Sequence, residues 1–296
     1  GLWLSEAIFD ADLLTQDRWR CFTFITEGPT VTLPFAALPV RPIKQLVNMS
    51  RYPYLLAEKE IKYDFSLALW LRSRAAEHQQ SVTKDDSVLA LFPFALKGGN
   101  LSVYNGSAAA FTLSALESEQ EMDRMGTLPA IDFFSYPLAS KQTFLEQSTQ
   151  YPILYLSSHA GVEASLSRYP FVAFTRADSI DQRDLLFASE ILNHRFPSRL
   201  VFLNACQSAV GPELEGKGVY SLSRSFAYAG ARSVVATLWP VDDHSAGQIG
   251  GEFMRLLRQA EQADAALAEA QQSLFDLQDP SRHHPYFWAA YRRYGN

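Results

Sequence analysis

Short apolar runs recur along this chain, and stretches with helical spacing of apolar residues separate many of them. Two of the runs, 153–157 and 200–204, are continuous, rich in branched and aromatic side chains, and bounded by turn residues. Such runs are typical of strands buried on both faces of a parallel sheet. Similar runs at 88–92 and 233–238 predict two more strands. The alternation of strands and helices from residue 88 onward predicts a doubly wound, mostly parallel α/β sheet with flanking helices.

The amino-terminal part of the chain has a different pattern. Residues 20–25 read as a strand, and the turn Glu27-Gly28-Pro29 before the run 30–33 predicts a β-hairpin. Apolar residues on one face of 66–78 predict a helix. We therefore predict an N-terminal subdomain with this hairpin and helix over residues 1–82, and an α/β core over residues 83–296.

A histidine and a cysteine follow the two continuous runs. His159 comes just after the run 153–157, and Cys206 just after the run 200–204. Reactive groups in open parallel sheets lie just past the carboxyl ends of the strands, so these side chains should face one crevice. They are 47 positions apart, close to the roughly 50 that separate histidine from cysteine in caspases.

Further segments make the likeness specific, and the sequence resembles the CHAT domain, a bacterial branch of the caspase-like cysteine peptidases that is related to separase. The resemblance covers roughly residue 20 to the end of the sequence. Its most specific part is the long run 229–243, which follows the histidine and the cysteine in the expected order. The other matching segments are 159–161, 203–208, 216–219 and 284–290, with a weaker match over 27–38.

The resemblance implies a cysteine endopeptidase with a caspase-like fold. A thiol is a poor nucleophile until a base removes its proton, so His159 would act on Cys206. A tetrahedral intermediate also needs backbone N–H donors, for which Gly161 and Cys206 are the candidates. Packing of Cys206 in the core is the plainer alternative. Where the family usually has Thr-Gly after the cysteine region, this chain has Ser208-Ala209, which puts the choice of substrate in doubt.

The segment after the run 233–238 offers a binding surface for substrate. Trp239 would supply an apolar wall, and Asp242 or Asp243 a carboxylate that binds a basic P1 side chain by a charge-assisted bond. The alternative is a helix N-cap, with Asp243 or Ser245 capping a helix that starts near residue 246. The residues alone leave both interpretations open.

Composition narrows the possible functions. The chain has 296 residues and a net charge of −6, and it contains no basic block of the kind that binds nucleic acid. No apolar stretch reaches the length of a membrane span, and two cysteines without a disulfide framework favour the cytoplasm. We find no cofactor motif, and the pair His283-His284 lacks partners at metal-ligand spacing, so we expect neither cofactor nor metal.

These observations favour a cysteine endopeptidase that cleaves protein or peptide substrates. The resemblance implies a role in bacterial signalling or defence, with gating by a tetratricopeptide-type partner or an upstream domain. The alternative is a catalytically silent, caspase-like scaffold that binds a protein partner.

Overall fold

A computed structural model of the protein describes residues 19–41, 48–77, 86–95, 99–105, 108–162, 169–176, 180–214, 218–259 and 262–295. Strands are numbered along the chain. Those of the central sheet are β1 (Cys21–Ile25), β2 (Glu60–Asp64), β3 (Val88–Phe92), β6 (Ile131–Ser135), β7 (Ile153–Ser157), β12 (Leu200–Asn204), β15 (Ser233–Thr237) and β16 (Tyr291–Gly295). Their order is β1-β2-β16-β15-β12-β7-β3-β6. Neighbouring strands are parallel except β15 and β16, which are antiparallel.

Helices cover both faces of this sheet. They are α1 (Leu55–Glu58), α2 (Leu67–Glu77), α3 (Glu119–Gly126), α4 (Lys141–Gln147), α5 (Ala188–Ile191), α6 (Leu222–Tyr228), α7 (Asp243–Leu257), α8 (Ala263–Gln272) and α9 (Pro285–Trp288). Because side chains alternate between the faces of a strand, Leu154 packs in the same cluster as Phe144 of α4, whereas Tyr155 packs with Phe253 of α7. The central strands β3, β7, β12 and β15 are buried along their whole length. The predicted mixed α/β fold with a mostly parallel sheet is therefore confirmed.

Smaller sheets, separate from the central sheet, are also present. Their strands are β4 (Asn100–Asn105), β5 (Ala108–Ser114), β8 (Ala160–Gly161), β9 (Phe171–Ala173), β10 (Ile180–Asp181), β11 (Leu185–Phe187), β13 (Glu213–Leu214) and β14 (Gly218–Val219). They pair in the orders β10-β4-β5, β11-β9-β8 and β13-β14. The β4–β5 hairpin follows β3 along the chain, and α3 starts at Glu119 just after it.

The amino-terminal prediction of a β-hairpin was wrong. Residues Gly28–Thr32 form a 3₁₀ helix, and β1 pairs in parallel with β2 instead. The buried guanidinium of Arg292 donates to the carbonyl of Val31 at 2.7 Å and also to that of Leu33, so a side chain takes the acceptors that a hairpin would use. Both β1 and β2 join the central sheet through β16.

Candidate active site

The two strands that precede His159 and Cys206 are neighbours in the central sheet. Strands β7 and β12 run in parallel, and their register places Ser157 opposite Asn204. Each candidate residue lies two positions beyond its strand, so both follow the same edge of the sheet. They line one pocket of about 90 Å³ together with Asp243 of α7.

The imidazole of His159 is held in one orientation. Its Nε2 lies 2.7 Å from the backbone carbonyl oxygen of Ser114, at the end of β5. A carbonyl can only accept, so Nε2 carries the proton and Nδ1 keeps its lone pair. The buried ring of Phe94 meets the imidazole edge-on, with centroids 4.6 Å apart. Burial lowers the pKa of His159, and the Ser114 carbonyl and Asp243 oppose this only in part. The ring is therefore neutral near pH 7 and able to accept a proton.

The thiol of Cys206 lies half-buried in a tight turn. Burial raises its pKa, against the backbone N–H of Val241, which lowers it. The following residue, Gln207, has a φ of 53°, a left-handed backbone conformation that residues other than glycine seldom adopt. Because the resting thiol keeps its proton, it needs a base before it can attack a carbonyl.

Hydrogen bonds to β15 fix the turn that carries Cys206. The hydroxyl of Ser208 accepts from the Thr237 backbone N–H at 2.9 Å, and the Thr237 hydroxyl donates to the Ala205 carbonyl at 2.6 Å. Thr237 also accepts the backbone N–H of Ala209 at 2.9 Å. All four residues are buried, so water does not compete for these bonds, and they hold the turn firmly.

The two candidate aspartates have different environments. Asp242 is the N-cap of α7: its carboxylate accepts from the Ser245 backbone N–H at 3.0 Å and pairs with Arg282. The cap is therefore Asp242, not Asp243 or Ser245 as the sequence suggested. Asp243 lines the pocket, where burial raises its pKa and its carboxylate accepts from the Glu117 backbone N–H at 3.4 Å.

Trp239 and Gly161 lie outside the pocket lining. Trp239 is half-buried and its indole N–H donates to the Tyr286 carbonyl at 2.8 Å. Gly161 belongs to β8 and pairs with Phe171 of β9. A Cβ built on Gly161 would meet nothing within 4 Å, so the described residues do not require glycine there. Close approach of a substrate to Gly161 stays a prediction.

Sequence reasoning missed a buried carboxylate beneath the pocket. Glu121 of α3 also lines it and is only 2% exposed. The available signal was helical spacing: Glu121 lies four positions before Met125, and both are buried, so they share the inner face of α3. Ser114 was missed as well, because it contributes a backbone carbonyl and not a side chain.

Other site types find no support among the described residues. No group of three or more His, Cys, Asp or Glu side chains there could hold a metal ion. No helix in those ranges is both long enough and apolar enough to cross a bilayer.

Comparisons with solved structures show the same fold. The separase–securin complex of Saccharomyces cerevisiae matches with a TM-score of 0.53 and 14% identity, over 82% of this chain and 14% of that chain. The Arg-specific cysteine proteinase gingipain R matches with a TM-score of 0.50 and 10% identity, over 81% of this chain and 54% of that one. At such identities the likeness concerns the fold, which is that of the caspase-like cysteine peptidases.

Sequence comparisons identify the family. Tetratricopeptide repeat protein 28 of Homo sapiens is 32% identical over 115 residues, which are 39% of this chain. Its counterpart in Mus musculus is 32% identical over 112 residues, or 38% of the chain. The matched part is 4% of the length of either relative. The CHAT domain family model matches residues 1–296. This chain therefore belongs to the CHAT domain family.

Proposed function

We propose that this domain is a cysteine endopeptidase in which Cys206 is the nucleophile and His159 the general base. The observation that carries the proposal is the hydrogen bond from His159 Nε2 to the Ser114 carbonyl. It leaves the lone pair of Nδ1 for the thiol proton, in a pocket that both side chains line.

The reaction would proceed in two halves. Nδ1 of His159 takes the proton of the Cys206 thiol as Sγ bonds to the scissile carbonyl carbon, and the carbonyl oxygen gains the negative charge. Backbone N–H groups of Cys206 and Gly161 would stabilise that oxyanion. The imidazolium then gives its proton to the leaving amine as the C–N bond breaks. Water, deprotonated by the same imidazole, hydrolyses the thioester and restores the thiol.

The proposal includes gating. Burial keeps the resting thiol protonated and the imidazole neutral, so the pair is not an ion pair before substrate arrives. We propose that a tetratricopeptide-type partner or upstream domain activates it, within the cytoplasm and in bacterial signalling or defence. Both curated relatives are named as tetratricopeptide repeat proteins, which supports a partner or upstream domain of this kind. The same neutral pair also favours the second candidate, a silent scaffold that binds a protein partner.

Labelling with a substrate-like electrophile separates the two candidates. Cys21 is exposed, so the experiment uses a Cys21→Ser protein, in which Cys206 is the remaining cysteine. A peptidyl chloromethyl ketone should modify Cys206 with one equivalent, because the peptide places the electrophile beside the thiol and its base. Mass spectrometry of the intact and digested protein gives the readout. A thiol that reacts with iodoacetamide but never with the peptidyl reagent would favour the scaffold.

A second prediction concerns the P1 side chain. We propose Asp243, which lines the pocket, as the carboxylate that binds Arg or Lys, and Asp242 as a structural cap. Asp243→Asn should lower kcat/KM for a P1-Arg substrate by about tenfold to a hundredfold and leave a P1-Leu substrate unchanged. Asp242→Asn is the matched control and should leave this selectivity unchanged, because asparagine caps a helix about as well as aspartate and the Asp242 carboxylate pairs with Arg282. A wild type that prefers P1-Leu would contradict the assignment.

A further inference from the structure

The buried carboxylate of Glu121 accepts hydrogen bonds from three side chains. The Ser157 hydroxyl donates to Oε2 at 2.9 Å, and the Asn204 amide donates to Oε1 at 2.6 Å. The Tyr155 hydroxyl donates to Oε1 as well. These donors come from β7 and β12, whereas Glu121 belongs to α3. The carboxylate therefore joins one helix to the ends of two neighbouring strands.

The donors stand close in sequence to the reactive pair. Ser157 lies two positions before His159, and Asn204 lies two positions before Cys206. Asn204 is held from other directions too: its Oδ1 accepts from the Tyr291 hydroxyl at 2.6 Å and its amide donates to the Ala246 carbonyl at 3.2 Å. A shift of the Glu121 carboxylate would thus move both strand ends together.

Helix α7 packs directly against the cluster as well. A Cβ on Gly250 would lie 1.9 Å from the Tyr155 hydroxyl oxygen and 2.9 Å from Glu121 Oε1, so the backbone of α7 is in direct contact with the cluster. Burying a carboxylate costs free energy that a glutamine or a leucine there would not cost to the same degree. Because the buried Glu121 carboxylate costs folding free energy, its presence points to a role in the site rather than in core packing.

We propose that Glu121 is a positioning residue for the His159–Cys206 pair: it holds the ends of β7 and β12 in the register at which imidazole and thiol meet. This inference rests on the proposed function above. The carboxylate touches neither reacting atom and acts through Ser157 and Asn204. Its charge state decides how well it does so, because an ionised carboxylate accepts from all three donors, while a protonated one must itself donate.

The charge state of Glu121 changes within the physiological range. Burial raises its pKa to about 7, against the stabilising bonds from Tyr155, Asn204 and Ser157, and the negative charge of Asp243 on α7 adds to the rise. Tyr291, from β16, is the remaining titratable group that interacts with it, and burial keeps that phenol neutral by raising its pKa. The Glu121 carboxylate therefore accepts all three hydrogen bonds fully above pH 7 and less well below it.

Glu121→Gln tests the proposal, because glutamine imitates the protonated acid. Wild type and variant should have the same kcat near pH 5.5. At pH 8.5 the variant should have about tenfold lower kcat and an unchanged KM, since misplaced reacting groups affect the chemical step. A merely structural role would lower activity by one factor at all pH values, or would not lower it at all. Either result would overturn the proposal.

Alkylation of Cys206 provides a second test of the positioning role that does not depend on peptide hydrolysis. The rate of iodoacetamide alkylation of Cys206, in the Cys21→Ser background, should show an inflection near pH 7 that Glu121→Gln removes. If no peptide is cleaved but the inflection is lost, the proposed function fails and the positioning role stands. Identical alkylation profiles overturn the positioning role whatever the peptidase result. Asp184→Asn, a buried carboxylate at β10–β11, is the matched control and should keep the wild-type profile.

A second variant guards against misfolding of Glu121→Gln. Gly250→Ala displaces the Tyr155 hydroxyl without removing a titratable group. It should lower kcat at every pH and keep the inflection near pH 7. An unchanged kcat in a Gly250→Ala protein that melts cooperatively would also count against the proposal.

Discussion

Replacing Cys206 with alanine is expected to abolish peptide hydrolysis, and replacing His159 with alanine to lower kcat by about 10²–10⁴-fold. The first change removes the atom that would bond to the substrate. The second leaves a thiol whose pKa burial has raised, with no base beside it. Initial rates on a peptide library, with each protein checked for a cooperative melting transition, give the measurement.

The controls for this prediction lie on the same chain. His194 is exposed, so His194→Ala should retain wild-type kcat, and Cys21→Ser should do the same. Wild-type hydrolysis by the Cys206→Ala protein would remove this cysteine from the mechanism. Loss of activity in the His159→Ala protein should recover in part at higher pH, where hydroxide and buffer ionise the thiol without the imidazole.

The second large effect is expected on stability, at the buried ion pair between α8 and β16. Arg293 donates to both carboxylate oxygens of Asp264, through Nε at 2.7 Å and through Nη2, and the side chains are only 8% and 4% exposed. Asp264→Ala should therefore lower the free energy of unfolding by about 3–5 kcal/mol, because it leaves a buried guanidinium without its partner. Chemical denaturation at neutral pH measures the change.

A double variant distinguishes pairing from packing. Asp264→Leu combined with Arg293→Met should recover much of the lost stability, since no buried charge is left unpaired. Arg255→Ala is the control for a paired but more exposed arginine: it contacts Glu252 at 2.6 Å with 42% of its side chain exposed, and its loss should change stability far less. Equal losses at Asp264 and Arg255 would contradict the importance of burial.

The strands that lead to the reactive pair could be predicted from sequence because strands buried on both faces consist of continuous apolar runs. Strands β7 and β12 are covered on both faces, so every position is apolar until the polar residue at the end. Strand β16 was missed for the opposite reason. It is central and buried, yet it carries Arg292 and Arg293, whose charges are satisfied by backbone carbonyls and by Asp264 from distant segments. The segment just before it, Pro285–Trp288, is a helix.

The site was predictable to the same limited extent. Local runs indicated where His159 and Cys206 would emerge, since parallel strands share an edge. The groups that orient them were not predictable, because each reaches the site through a long-range contact. The Ser114 carbonyl, which accepts from His159, lies at the end of the β4–β5 hairpin. The Glu121 carboxylate accepts from side chains on β7 and β12, which are distant from α3 in sequence.

The position of β16 also dictates an order of folding. It pairs with β15 on one side and with β2 on the other, so β1 and β2 cannot join the sheet until residues 291–295 have left the ribosome. At ~5–20 residues per second, that delay after β2 is made is on the order of ten seconds or more. The five strands from β6 to β15 can assemble meanwhile, each beside a neighbour that already exists. During that interval β2 presents an unpaired edge, and such edges promote aggregation.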